Sequence, residues 1–211
     1  MAISFKQLDR IFRDALGNSL EYLVEPDYRS IAVGIPTKLY RNPEGDPIVV
    51  VATQLSEDGR FVEFFTPKLY SLAGCPHVSA VTRVMLGACW RTGAVQFELD
   101  EADGEVRATA EYILADGTLT KAQVRETCAQ LIGVVDAFHD VIGGAMETGK
   151  VAFPEEPDFE SILPTAPAMP GSLPTDVKTE EVLRDMVIKA LKIGVERWKA
   201  ATPSDEIIRR W

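Results

Sequence analysis

The chain is poor in cysteine, histidine and positive charge, and each shortage removes a class of function. Its three Cys (Cys75, Cys89, Cys128) have no close pairing and its two His (His77, His139) stand alone. Neither a disulfide framework nor the ligand spacing of a structural zinc site can be built from them. No metal and no cofactor is therefore expected, and reduced thiols in a cytoplasmic setting are. Lys and Arg number 22 against 32 Asp and Glu, a net charge of -10, with a pI near 4.8. Such a balance disfavours a phosphate backbone as partner, so no nucleic acid is expected. No uninterrupted apolar run approaches the roughly 20 residues of a membrane span, and the first residues lack the charged and apolar blocks of a signal peptide. Also missing are a G-x-S-x-G elbow, an H-E-x-x-H pair and a dinucleotide fingerprint. No catalytic residue is assigned, and the expectation is a protein that is not an enzyme.

What remains is 211 residues with 46% hydrophobic and 26% charged side chains, the composition of an ordinary soluble protein with one main core and an appendage. Ser4-Phe5-Lys6-Gln7 has the form of a capping box. Phe5, Leu8, Ile11, Phe12, Ala15 and Leu16 follow on one helical face, with Gly17-Asn18 as the stop. Apolar runs with β character come next: Leu20 to Val24, Ile31 to Ile35, Ile48 to Leu55 and Arg60 to Thr66. The last two flank Ser56-Glu57-Asp58-Gly59 and predict an antiparallel hairpin. Ile48-Val49-Val50-Val51 does not alternate, which predicts a strand covered on both faces. The run from Phe61 to Phe65 is ambiguous as to which residues face inward.

Residues His77 to Trp90 read as a helix, with Val78, Val81, Met85, Ala88 and Cys89 on or near one face and Gly93 beyond its end. A second hairpin follows, in which Val95, Phe97 and Leu99 turn through Asp100 to Gly104 into Val106, Ala108, Ala110 and Tyr112. Thr120-Lys121-Ala122-Gln123 is another capping box. Val124, Cys128, Leu131, Val135, Phe138 and Ile142 then trace a long stripe ending near Gly143-Gly144.

Residues 151–175 change character: Pro154, Pro157, Pro164, Pro167, Pro170 and Pro174 interrupt them, and acids cluster between Glu155 and Glu160. Val151, Phe153, Phe159, Ile162, Leu163, Met169 and Leu173 recur through this connector, as in a segment lying on a surface. From Thr175 a last helix is predicted, with Leu183, Met186, Val187, Ala190, Leu191, Gly194 and Trp198 along one side, and a tail ends at Trp211. Three regions follow: a domain over 1–150, the Pro-rich connector over 151–175, and a C-terminal helix and tail over 176–211.

Few residues suggest chemistry. Cys75-Pro76-His77 brings a thiol and an imidazole together ahead of a helix, but no local signature supplies an orienting partner, and a loop Cys is the simpler reading. His139, beside Asp140 near the end of a long helix, reads as a solvated residue complementing the helix dipole. Asp100 to Gly104 lacks the length and terminal Glu of a calcium loop. Gly149-Lys150 is followed by Val151 where a phosphate loop needs a hydroxyl. Trp211 suits a partner anchor, whereas Trp90 and Trp198 are expected in or at the edge of a core.

The stretch VMLGACWRTGAVQFELDEADGEVRATAEYIL, followed by GTLTKAQVRETCAQLIGVVDAFHDVI and preceded by SEDGRFVEFF, resembles the YbjN-domain family, whose members have the type III secretion chaperone-like fold. The resemblance covers about residues 4–145 in order of elements. It implies an α+β domain with a curved antiparallel sheet packed with helices, frequently dimeric, whose members are mostly binding modules or regulators. No catalytic residue comes with it. The first expectation is thus a cytoplasmic interaction module, chaperone-like or a regulatory adaptor, that binds a segment of a partner protein and forms a homodimer. The contacts expected to carry this are Phe153, Phe159, Ile162, Leu163, Trp198 and Trp211. The alternatives are a subunit or assembly factor of a larger complex, and an enzyme or small-ligand binder with an unadvertised site.

Overall fold

The computed structural model describes residues 2–153 apart from 18, 19, 21 and 116. Helix α1 spans Phe5–Leu16. Its capping box is formed as the sequence predicts: Gln7 N donates to Ser4 Oγ and Ser4 N donates to Gln7 Oε1. Gly17 closes it at φ 89. Strands β1 (Tyr22–Glu25) and β2 (Ser30–Pro36) are joined by a single 3-10 turn at Pro26–Tyr28, which the sequence reading missed. Strands β3 (Ile48–Leu55) and β4 (Phe61–Phe65) form the first predicted hairpin, and a two-residue β5 (Tyr70–Ser71), too short to leave a sequence signature, follows. Helix α2 runs Val78–Thr92, strands β6 (Gln96–Leu99) and β7 (Glu105–Ile113) form the second hairpin, and α3 runs Lys121–Thr148.

All seven strands join one antiparallel sheet in the order β1-β2-β3-β4-β7-β5, with β6 on the other edge of β7. Strand β7 is long enough to serve three neighbours. Residues 109–113 pair with β4, residues 105–106 with β5 and residues 106–109 with β6. With its three helices the domain is α+β.

Alternation settles the ambiguous strand. Val62 and Phe64 of β4 join Ile31, Val33, Val49, Val51, Val106 and Ala108 in the main core, against Leu8 and Phe12 of α1 and the stripe of α3. Every residue of the α3 stripe named above is buried. Phe12 stacks on Phe64 at 5.7 Å, and the Tyr112 hydroxyl shares a 2.6 Å hydrogen bond with Thr127 Oγ1, tying β7 to α3. Ile48, Val49, Val50 and Val51 are all buried, so β3 is covered on both faces as its unbroken apolar run predicts.

Helix α3 passes through Gly143-Gly144 and ends at Gly149, which takes φ 71 and donates its N–H to Ala145 O. The expected stop at the glycine pair is corrected for a packing reason: Ile142 and Ala145 are both buried and hold the last turns on the core, which offsets the weak helix propensity of Gly.

Candidate functional site

Helix α2 has two unlike long faces. Val81, Val84, Met85 and Ala88 turn inward and are fully or nearly buried. On the far side Val78, Thr82, Leu86 and Trp90 succeed one another at four-residue spacing and form one ridge. Leu86 is 67% exposed and Trp90 89%. The expectation that Trp90 lies in or beside the core is therefore corrected. The inward face is already filled by four smaller side chains, and position 90 falls one turn beyond Leu86 on the outer ridge. Val78, expected on the inward face, is likewise exposed. Cys89 lies on the flank, where its Sγ accepts the Phe97 N–H at 3.2 Å.

The opposite flank of α2 receives the chain that leaves α3. Gly149 lies against His77, so closely that a Cβ there would meet the ring Nδ1 at 2.8 Å. Four residues on, the Phe153 ring lies over Gly87, edge-on to Phe138 at 6.4 Å and under the Arg91 guanidinium at 4.2 Å. Arg91 Nη1 also donates to Gly87 O at 2.8 Å, which fixes the cation above the ring. Residues 149–153 thus run along α2 from its first turn to its last. Of the six residues expected to meet a partner, Phe153 packs on its own domain; Phe159, Ile162, Leu163, Trp198 and Trp211 lie outside the described residues. So do the predicted helix and most of the predicted connector.

The other titratable groups singled out in the sequence are spread apart. Cys75 Sγ donates weakly to Met146 O at 3.8 Å and the His77 ring faces Gly149, so each of the two packs against the end of α3. The acids of the Asp100 to Gly104 turn serve the backbone: Ala102 N donates to Asp100 Oδ1 and Glu105 N to Asp103 Oδ1, both at 2.9 Å. Among the described residues no group of three or more His, Cys, Asp or Glu could hold a metal ion, and no helix is long and apolar enough to cross a membrane. Burial pushes the Cys128 thiol up to about 12, so it stays protonated.

One polar cluster had no sequence signal. Asp136, 2% exposed on α3, accepts the backbone N–H groups of Lys38, Leu39 and Tyr40 at 2.8, 2.9 and 2.9 Å. Both carboxylate oxygens are spent on holding the β2–β3 connection to the helix. One turn on, His139 Nδ1 shares a 3.1 Å hydrogen bond with the Tyr70 hydroxyl, and the two rings stack. The Tyr40 ring stands edge-on to both. The expectation of a solvated His139 is corrected, because α3 continues beyond it and its face there meets β5. Burial first, then Tyr40, Asp136 and Asp140, raise the Tyr70 hydroxyl well above its ordinary value, so it remains a neutral partner for the imidazole.

No family model matches the chain, and no curated protein does. Among solved structures, a chain from the crystal structure of the ExsC-ExsE complex is similar to it at 15% identity and a TM-score of 0.48. That likeness covers 67% of this chain and 97% of the other.

Proposed function

We propose that this protein is a non-enzymatic cytoplasmic interaction module, chaperone-like or a regulatory adaptor, and an outlying relative of the YbjN-domain family. The outer ridge of α2 holds an apolar segment of a partner protein. The observation that carries the reading is the exposure of Leu86 and Trp90 one helical turn apart, at 67% and 89%. Burying such a pair on a partner yields about 1.5–3 kcal/mol per side chain, and Trp is the residue most enriched among interface anchors. Arg83 and Arg91, both exposed, flank the ridge. An amphipathic helix with Leu- or Phe-like anchors and acidic flanks suits a face of this kind.

The buried carboxylate supports the same reading. Asp136, the one acid of α3 that is fully buried among the described residues, accepts three backbone N–H groups and serves to hold the β2–β3 connection. The test is affinity capture from native lysate with the full-length protein and its Leu86→Lys and Trp90→Ser variants. Proteins held by the wild type in near-stoichiometric amount and lost from both variants support the proposal. Identical retention by all three overturns it. The same ridge suits a second copy of the chain, and a homodimer mass that falls to a monomer mass with Leu86→Lys assigns it to self-association.

A further inference from the structure

The sheet face turned away from the main core carries a second apolar cluster. Ala32 of β2, Val50 and Ala52 of β3 and Phe65 of β4 pack together there, with Leu23 and Tyr28 beside them. The register Ala32↔Ala52, Ala52↔Phe65 and Phe65↔Thr109 makes a single row across the middle of the sheet. On an open sheet face such a row is half solvated, and a Phe there keeps part of its ring in water. Here Phe65 is 1% exposed, Thr109 1%, Ala52 0%, Ala32 2% and Val50 8%.

Among the described residues, Leu23 and Tyr28 are the apolar side chains packed against the cluster. No residue of α1, α2 or α3 belongs to the cluster. Arg107, held between Glu63 at 3.1 Å and Glu98 at 2.7 Å, lies 5.3 Å over the Phe65 ring and shields one side of it. Ala32, Ala52 and Val50 lie across from it, with Leu23 and Tyr28 as their apolar neighbours beyond the cluster among the described residues. The cover is not spent on the other apolar surface of the domain, since Leu86 and Trp90 stay in water.

We propose that residues 176–199 of the same chain dock across this face, over Ala32, Val50, Ala52 and Phe65. The segment has the required pattern, with Leu183, Met186, Val187, Ala190, Leu191 and Trp198 at helical spacing. Its later part, 183–199, is also basic, since Arg184, Lys189, Lys192, Arg197 and Lys199 outnumber Asp185 and Glu196, whereas 176–182 carries Asp176, Glu180 and Glu181 against Lys178. The outward positions of β4, β6 and β7 carry Glu63, Glu98 and Glu111. The reach suffices, because a connector over 154–175 extends to roughly 70 Å at about 3.3 Å per residue, enough to round the edge of a domain of this size. Phe153, seated at Gly87, is the fixed point from which it departs.

The test uses the full-length protein with a site for a specific protease in place of residues 165–169, cut under native conditions. After cutting, the C-terminal piece is expected to co-elute with the domain at micromolar concentration, as one piece per domain, without exchanging between differently tagged copies. Leu191→Asp in the segment and Val50→Lys on the face are each expected to release it, and Leu86→Lys on α2 is expected to leave it bound. Leu191 lies outside the domain, so its result decides the matter if Val50→Lys fails to fold. Separation of the unsubstituted piece overturns the proposal. So does retention that survives Leu191→Asp, release by Leu86→Lys, or free exchange between copies, which places the segment on α2 or on a second subunit.

Discussion

Gly87, in the middle of α2, is the seat of the Phe153 ring: a Cβ at position 87 would clash with it. A glycine inside a helix costs about 1 kcal/mol relative to Ala, and here the cost is offset by an aromatic contact that fastens the chain leaving α3 to α2.

The pair gives a sign test. Phe153→Ala should lower stability by about 1–2 kcal/mol, less than for a fully buried Phe. Gly87→Ala alone should be destabilising because it evicts the ring. In the Phe153→Ala background the same Gly87→Ala should stabilise by about 1 kcal/mol. Urea titrations of the four proteins check this, and an additive cycle removes the contact as the reason for the glycine.

Replacing Asp136 by Asn should cost about 1–3 kcal/mol, since an amide NH2 would oppose one of the three backbone donors that the carboxylate now satisfies. The loss should appear locally as faster amide exchange at Lys38, Leu39 and Tyr40. Unchanged exchange there would show that the connection is held by other contacts.

Trp90→Ser and Leu86→Lys should each change stability by less than about 0.5 kcal/mol, because both side chains project into water. Thermal melting checks this independently of any partner. A loss of several degrees would mean that the ridge is covered in solution.

Alkali should weaken the fold through Cys128. Its folded-state value, raised by burial to about 12, exceeds its ordinary 9.0. The unfolded chain therefore releases the proton first. This contribution is intact below about pH 9 and declines as pH rises toward 12, by at most about 1.4 kcal/mol per pH unit. Melting temperature between pH 8 and 11 should fall less steeply in Cys128→Ala than in the wild type. Native Cys128 should also resist alkylation at pH 8, and fast labelling of the folded protein would contradict its burial.

Chelator and reductant should leave the melting temperature unchanged, since the three thiols are free and each is accounted for by packing. A drop of several degrees with either would overturn that account.

Much of this architecture is local in origin and was legible residue by residue. Both capping boxes, at Ser4 and Thr120, are written in four consecutive residues, and each forms as written. The two hairpins follow from apolar strands flanking short polar turns, and the unbroken run at Ile48 to Val51 announced a strand with two covered faces. Periodicity fixes which residues of a helix share a side. It does not fix which side meets the core when several are apolar.

That choice belongs to the tertiary structure. In α2 both Met85 and Trp90 are large and apolar, and only the space between α3 and β6 decided that Met85 goes in and Trp90 out. Asp136 and the connection it holds are separated by nearly a hundred residues, with no pattern linking an acid in a helix to three amides in a loop. Gly143-Gly144 looked like a stop because the weak propensity of glycine is a local property, whereas the burial that carries α3 past them to Gly149 is not. The sequence by itself determined the three helices and the longer strands, both capping boxes and the two hairpin turns, since those depend on neighbours along the chain. Which faces are covered and which are left in water was decided by packing between distant segments, because the free energy of burial depends on what each side chain meets in space.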